Sequence, residues 1–254
     1  MSWAARRRFL IVLTFSAIAV AFFALLSIAT FYKTPSCTDT IQNQDEEGID
    51  CGGSCSYLCA ASLQPPTVLF TKALTNGAGR TDVIASVENK NASAAAKNVP
   101  YRITLYGAGQ TLIQTVTGTL DLPPGATESV YVPGVASGKQ TVVGAFLSID
   151  APSLQWFPMT AAARMLPSVS NVKQTGTTLM PRIEAILANP GTTSMTNVSA
   201  VAVVHNAQGS IIAASRTLVP VIPAQGKVTA VFTWNDAFPD TAASIKVVPT
   251  VPLP

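Results

Sequence analysis

Charge is the scarcest property of this chain: Asp, Glu, Lys and Arg make up 11% of its 254 residues, against about a quarter in ordinary soluble domains. Combined with 48% hydrophobic residues, that excludes an intrinsically disordered chain, which needs the opposite balance. Histidine occurs once, as His205, so any Ser-His-Asp arrangement must use it, and no G-x-S-x-G elbow is present. His205 reads instead as a turn-proximal residue at a strand end. Cysteine is absent beyond residue 59, which removes thiol nucleophiles and thiolate metal knuckles from most of the chain. No phosphate loop or dinucleotide fingerprint occurs; Gly107-Ala108-Gly109 is a hairpin glycine pair. Basic residues beyond Lys33 are scattered, leaving no electrostatic track for nucleic acid. Asp236 and Asp240, the one close carboxylate pair late in the chain, flank Phe238-Pro239 and read as turn formers. The expectation is a protein without catalysis.

What charge there is has an address. Residues 1–33 hold Arg6, Arg7, Arg8 and Lys33 and no acid, whereas residues 34–254 hold 12 basic and 13 acidic residues. The net +3 therefore belongs to the N-terminal stretch alone. From Phe9 to Tyr32 run 24 residues without a charge or a proline. At about 1.5 Å per helical residue they cross a hydrocarbon core of roughly 30 Å with some tilt. The three arginines before this run and one lysine after it predict a cytoplasmic N-terminus, with everything beyond Lys33 outside. Residues 1–8 are then a basic stub and residues 9–32 a signal anchor in the lipid bilayer. Ser27-Ile28-Ala29 leaves open a peptide cleaved after Ala29, although the apolar run exceeds a usual signal core.

All four cysteines, Cys37, Cys51, Cys55 and Cys59, fall in one short segment. In an exported chain an even count predicts two disulfides, with three pairings open. The segment has few apolar residues, so bridges would staple a neck over residues 33–64 that cannot build its own core. The x13, x3, x3 spacing differs from paired zinc knuckles. Five of the 13 acids lie between Asp39 and Asp50. Asp39, Asn43, Glu46 and Asp50 are therefore candidate calcium ligands, hard oxygens in a glycine-punctuated loop, with a solvated acidic loop as the alternative.

The run Asp39-x-Ile41-Gln42-Asn43-x-x-Glu46-x-Gly48-Ile49-Asp50-Cys51-Gly52-Gly53-x-Cys55 resembles a short cysteine motif of bacterial exported and surface proteins, C-x-D-G-I-x-N-x-x-E-x-G-x-D-C-G-G-x-C. Where that pattern has glycine after its first Asp, this chain has Thr40. The resemblance implies a surface-protein accessory module and no reaction.

Beyond Pro65 the composition shifts. Seventeen of the 18 prolines lie at or after that position, between short Val/Ile/Ala-rich runs that alternate. This rhythm predicts strands of a sandwich or barrel. The segment also matches itself. Asp82–Asn89 aligns with Arg182–Asn189 at an offset of 100, and Val99-x-Tyr101-x-Ile103-x-Leu105 with Val198-x-Ala200-x-Ala202-x-Val204 at 99. Leu122-Pro-Pro-Gly125 recurs as Ile222-Pro-Ala-Gln-Gly226, each followed by an aromatic strand. In the first copy Val99, Tyr101, Ile103 and Leu105 alternate with polar residues, so one face is expected buried and the other wet.

The expected fold class is mainly β: an N-terminal transmembrane helix, a disulfide-stapled segment and two tandem β-sandwiches over residues 65–159 and 168–254. A short helical link is expected at 160–167. The strand ending in N-x-N, the V-x-Y-x-I-x-L-Y strand and the P-P-G corner resemble immunoglobulin-like modules of bacterial and archaeal surface proteins, of the CARDB or fibronectin III kind. Phe232–Asp240 (FTWNDAFPD) is similar to single-pass surface proteins of small-genome bacteria.

The sequence thus implies a single-pass cell-membrane protein whose extracellular part has a structural, adhesive, protein-binding or glycan-binding role. The alternative is an accessory or ligand-sensing subunit of an envelope enzyme or transport complex. Trp156-Phe157 and Trp234–Phe238 are either contact surfaces or sandwich core. Asn91-Ala-Ser and Asn197-Val-Ser fit the glycosylation acceptor pattern.

Overall fold

Among the described residues, alternating apolar runs between proline- and glycine-bearing turns give thirteen strands, and one long helix precedes them. These were traced in a computed structural model that describes residues 3–32, 36–43, 45–75, 79–137, 141–151 and 154–254. Lys33 and Gln44 lie outside the described residues. Two compact units divide at Cys55/Ser56, so the segment expected as a neck over 33–64 is shared between them.

The first unit, Met1–Cys55, contains helix α1 (Trp3–Phe31) and the acidic cysteine loop. Within α1, Arg6–Phe31 is long and apolar enough to cross a membrane, and none of it is buried inside the protein. Its circumference carries no polar face. Ser16 and Ser27 turn their hydroxyls back to the carbonyls of Val12 and Phe23 four residues earlier, at 2.9 and 2.8 Å. Even the few polar groups are thereby satisfied within the helix, as a lipid environment demands.

The second unit, Ser56–Pro254, holds every strand among the described residues. In its first half, β1 (Thr67–Thr75), β2 (Arg80–Glu88) and β5 (Thr127–Ser137) form one antiparallel sheet. Facing it are β3 (Ala94–Tyr106), β4 (Leu112–Leu122), β6 (Gly144–Ile149) and the short β7 (Trp156–Pro158), with β3 central. The core between these sheets comprises Val83, Val87, Ile103, Leu105, Leu122 and Trp156 among others. Trp156 is almost fully buried, so it belongs to the core. Its carbonyl accepts the amide of Leu58 at 2.7 Å, which ties the segment just before the last cysteine, Cys59, onto this sandwich.

The second half has the same plan. Strands β8 (Ser168–Gly176), β9 (Pro181–Ala188) and β12 (Lys227–Thr233) form one sheet, and β10 (Met195–His205), β11 (Ile211–Ile222) and β13 (Ser244–Thr250) the other. Ile183, Leu187, Val198, Ala202, Val204 and Phe232 fill the space between them. In both halves the proline corner after β4 or β11 carries the chain to the facing sheet, with Gly125 or Gln225 at positive φ. Asn98 and Asn197, also at positive φ, mark the irregularity of β3 and the gap in pairing of β10. Asparagine is the residue that tolerates that conformation best after glycine. Of the expected helical link, a three-residue 3-10 turn, Ala161–Ala163, is present. Pro167 stands four residues after Ala163, and proline keeps the residue before it, Leu166, out of the helical region.

Only part of the expected wet surface is wet. On β3 alternation holds: Val99, Ile103 and Leu105 are buried while Pro100 and Arg102 are exposed. On β2 and β10, however, both faces are buried through most of their length. Ile84 and Leu74 of the first sandwich pack with Val201, Val203 and Ala214 of the second in a separate apolar cluster. The two sandwiches therefore share an interface.

Candidate functional site

In the cysteine loop, Cys37 is bonded to Cys55. Cys51 and Cys59 are disulfide-bonded too, and no cysteine is free. Of the three pairings open in the sequence, the structure selects the one that brings the first cysteine to the third. A thiolate metal site is closed off, because the one cluster of prospective ligand atoms among the described residues is Cys37, Glu46 and Cys55, and its sulfurs are joined to each other.

The candidate calcium residues share this loop, with most of their oxygens turned to its own donors. Asp50 accepts the amides of Asp39 (3.0 Å) and Thr40 (3.0 Å). Asp39 accepts the Ile41 amide and the Asn43 side-chain amide, both at 3.0 Å. Glu46, buried, accepts the Asn43 amide at 3.2 Å. Asn43 Oδ1 is buried without a partner. The carboxylates thus cap backbone N–H groups, the role by which short acidic loops hold turns without a core.

The remaining sequence candidates are placed by the strands. His205 ends β10, and its carbonyl accepts the Ala243 amide at 2.8 Å. Asp240 accepts from Asn206 Nδ2 at 2.8 Å and from the Thr241 amide at 2.7 Å, bonds that hold its carboxyl below the usual carboxylate range. It is a turn former, as expected. Asn91 donates to the Gln64 carbonyl and to Asn89 Oδ1, at 2.8 and 3.0 Å, so its amide is engaged in the fold. Asn197 is exposed.

A site that the sequence did not reveal lies where the sandwiches meet. A cleft of about 470 Å³ is lined by Leu74, Arg80, Asp82 and Tyr131 from the first sandwich and by Ala214 and Trp234–Pro239, among others, from the second. The Tyr131 hydroxyl donates to Asp82 at 3.0 Å, and the Gly134 amide donates to the other oxygen at 2.7 Å. Burial, together with the neighbouring Asp82 carboxylate, pushes the Tyr131 phenol far above its ordinary range. It stays protonated as a fixed donor. The indole of Trp234 donates to the Ala214 carbonyl at 3.1 Å, and its ring meets Phe238 edge to face at 5.1 Å. Of the two aromatic segments singled out in the sequence, Trp156 is core, while Trp234 and Phe238 pack against the second sandwich's core and also line this cleft.

Beside the cleft, a polar clamp holds the sandwiches together. Arg164, from the link, pairs with Glu128 of β5 at 2.8 Å and donates to the Val251 carbonyl at 3.1 Å. Thr250 Oγ1 donates to the other Glu128 oxygen at 2.8 Å. The Leu253 amide reaches Asp121 at 3.0 Å, and Lys97 reaches the Pro254 carbonyl at 3.0 Å. The single signal for this clamp in the sequence was Arg164 itself, a charge inside the otherwise apolar run TAAARML.

No family model matches the chain, and no curated protein matches it. Among solved structures, red sea bream transglutaminase aligns with 76% of this chain and 32% of its own, at 13% identity and a TM-score of 0.25. The chain thus spans well under two thirds of that protein, and a likeness this weak bears on neither fold nor activity.

Proposed function

We propose that this protein is a non-enzymatic, single-pass surface protein. In this reading Arg6–Arg8 stay in the cytoplasm, Phe9–Tyr32 anchor the chain in the bilayer, and the cysteine loop and sandwiches stand outside. The observation that carries it is α1: a helix apolar on every side, with none of its span buried in the protein, gains nothing in water and is stable in lipid. Disulfide bonding of all four cysteines supports an oxidising compartment for the rest. The shared strand order supports an origin of the sandwiches by duplication of one module. The clamp supports a function in which the pair acts as one rigid element, spacing or presenting a binding surface at the cell envelope.

Protease treatment of intact cells tests this reading. The sandwiches are expected to be digested while the N-terminal stub is protected, and protection of the sandwiches until lysis overturns the topology. N-terminal sequencing of the mature chain separates an anchor from a peptide removed after Ala29. Stoichiometric recovery of a membrane enzyme or transporter from detergent extracts would move the reading to an accessory subunit.

A further inference from the structure

Ligand pockets concentrate at domain interfaces, and the cleft between the sandwiches falls within their usual volume of roughly 300–1,000 Å³. Its walls are set before any ligand arrives. The Tyr131 hydroxyl is fixed through Asp82, and the Trp234 indole through the Ala214 carbonyl. Binding there costs little reorganisation.

Charge decides what such a cleft accepts. Its lining holds one cation, Arg80, and two carboxylates, Asp82 and Asp236, a net charge of −1. On the wall of the first sandwich Arg80 already has a partner, and its guanidinium lies over Gly134. Asp82 accepts from Tyr131 and from the Gly134 amide. Neutral donors stabilise a carboxylate charge and leave it in place. Asp236, on the wall of the second sandwich, is half-buried and makes no hydrogen bond or ion pair among the described residues. Arg182, across the strand pair from Thr233, is bonded to Glu184 at 3.0 Å, and Arg216, the residue after Ser215, lines a separate pocket. A charge drawn out of water without a partner is costly, and a bound cation would supply the partner that Asp236 lacks.

Strand addition by a peptide is disfavoured at every edge that reaches the cleft. On β11 the Ala214 carbonyl is taken by the indole. On β5, Pro133 has no amide, and the Gly134 amide is given to Asp82. Strands β1 and β12 reach the cleft only with their ends, Leu74–Thr75 and Thr233, and β2 is paired on both sides. A hard metal ion is poorly served as well, since it asks for six or so oxygens where the walls are largely aromatic. An alkylammonium ion fits both features. Its charge is attracted to ring faces and to a carboxylate, and its C–H surface packs on apolar rings.

We propose that the cleft binds an alkylammonium group, its carbons against Trp234, Phe238 and Tyr131 and its charge beside Asp236. This goes beyond the surface-protein reading and takes from it only the side of the membrane from which the ligand comes.

The test uses the full chain in maltoside micelles, which present no ammonium headgroup. The probes are tetramethylammonium, choline, n-butylammonium and putrescine. Uncharged counterparts are 3,3-dimethylbutanol for choline and n-butanol for butylammonium, and a short neutral peptide completes the panel. Calorimetry and saturation-transfer NMR are the readouts. At least one ammonium ion is expected to bind, and its uncharged counterpart about tenfold more weakly or less. D236N should weaken ammonium binding about tenfold at an unchanged melting temperature, because Asp236 has no partner to lose. F238L, which keeps apolar volume but removes the ring, should weaken it several-fold; D236N and the uncharged counterparts decide even if that variant fails to fold. E47Q, which removes a negative charge from the cysteine loop, should bind as wild type. Preference for tetramethylammonium and choline assigns a methylated ammonium, and preference for butylammonium and putrescine an unmethylated amine; both support the site. Absence of binding by every ammonium ion, equal binding of the uncharged counterparts, affinity unchanged in D236N, or binding of the neutral peptide in their place would each overturn the proposal. Protease accessibility on intact cells separates the two levels: exposed sandwiches that bind no ammonium ion sink the cleft site alone, and protected sandwiches sink the surface reading.

Discussion

Arg164 and Glu128 meet at 2.8 Å with their side chains only 7% and 8% exposed, joining the link between the sandwiches to β5 of the first. Through Val251 and Thr250 the same pair reaches the end of the second sandwich. Removing one partner of a buried pair leaves a charge without compensation, which costs about 3–5 kcal/mol. R164A is expected to destabilise the two-sandwich unit by that order and to split one thermal transition into two. Replacing both partners with apolar residues, E128L/R164M, should be much milder. Differential scanning calorimetry of the full chain checks both, and a single unshifted transition in R164A would show that the clamp does not couple the sandwiches.

Burial raises the Glu128 carboxyl above its ordinary range, and Asp121 adds to this, outweighing the opposing pull of Arg164 and Thr250. The folded state therefore holds this proton to higher pH than the unfolded chain does. Stability is fully present below the unfolded carboxylate range and is lost as pH rises through the folded value. E128Q, which keeps a neutral hydrogen-bonding group, is expected to flatten that part of the melting profile. The R164A defect should shrink in acid, where Glu128 takes up its proton. Melting temperatures across the acidic to neutral range decide; a wild-type profile that rises with pH through this window, by an amount E128Q removes, would contradict the assignment.

The joint between sandwiches was the least legible part of the fold, for a physical reason. Alternation and turn residues report which face of a strand is buried, not what buries it. The hairpin turn at Gly107–Gly109, the proline corners and the strand offsets were readable because each is set by local backbone demands. Ile84, Val201 and Val203 sit in runs that only look too continuous for a half-wet sheet, VIASV and VAVV. Their partners are more than a hundred residues away, and no local pattern names them. The Trp234–Phe238 segment was visible as aromatic, but its cleft depends on that same distant pairing. In the cysteine loop, composition indicated oxygen ligands; the geometry shows most of those oxygens holding backbone amides.

Asn89 and Asn189 have corresponding partners in the two sandwiches. Asn89 Nδ2 donates to the carbonyls of Ala94, Leu122 and Pro123, and Asn189 Nδ2 to those of Thr193, Ile222 and Pro223. Each Oδ1 accepts the amide two residues on, from Asn91 or Gly191. Both residues are buried, and each ties a strand end to the proline corner. Unsatisfied buried polar groups cost about 1–3 kcal/mol each, so N89A and N189A should each destabilise by on the order of 3 kcal/mol. Aspartate should fare no better, because it lacks the donor. Thermal unfolding of the two variants checks this, and a loss confined to one of them would break the equivalence.

Peptide mapping without reduction is expected to recover Cys37 linked to Cys55, and thiol titration of the native chain to find no reactive sulfhydryl. The Cys37–Cys55 bridge spans a sequence separation of 18, for which chain-entropy arguments give about 3 kcal/mol. A C37S/C55S chain should therefore lose protease resistance between Thr38 and Ser54 first, with the sandwiches still folded by circular dichroism. Two or more reactive thiols in the unreduced protein would contradict the pairing.

Thr40 holds a left-handed backbone, φ 61°, at the position where the resembling motif has glycine. The loop demands that turn because Asp50 gathers the successive amides of Asp39 and Thr40 on one carboxylate. A β-branched residue pays about 1–2 kcal/mol for left-handed geometry, against roughly 0.5–1 kcal/mol of extra chain entropy lost by glycine. T40G also gives up the Thr40 hydroxyl bond to the Asp39 carbonyl, an exposed contact of small net worth. The substitution is therefore expected to stabilise the loop by up to about 1 kcal/mol. Amide exchange at residues 39–41 should slow in T40G and quicken in T40V. Faster exchange in T40G would mean that the threonine side chain, and not the carboxylate of Asp50, holds the turn.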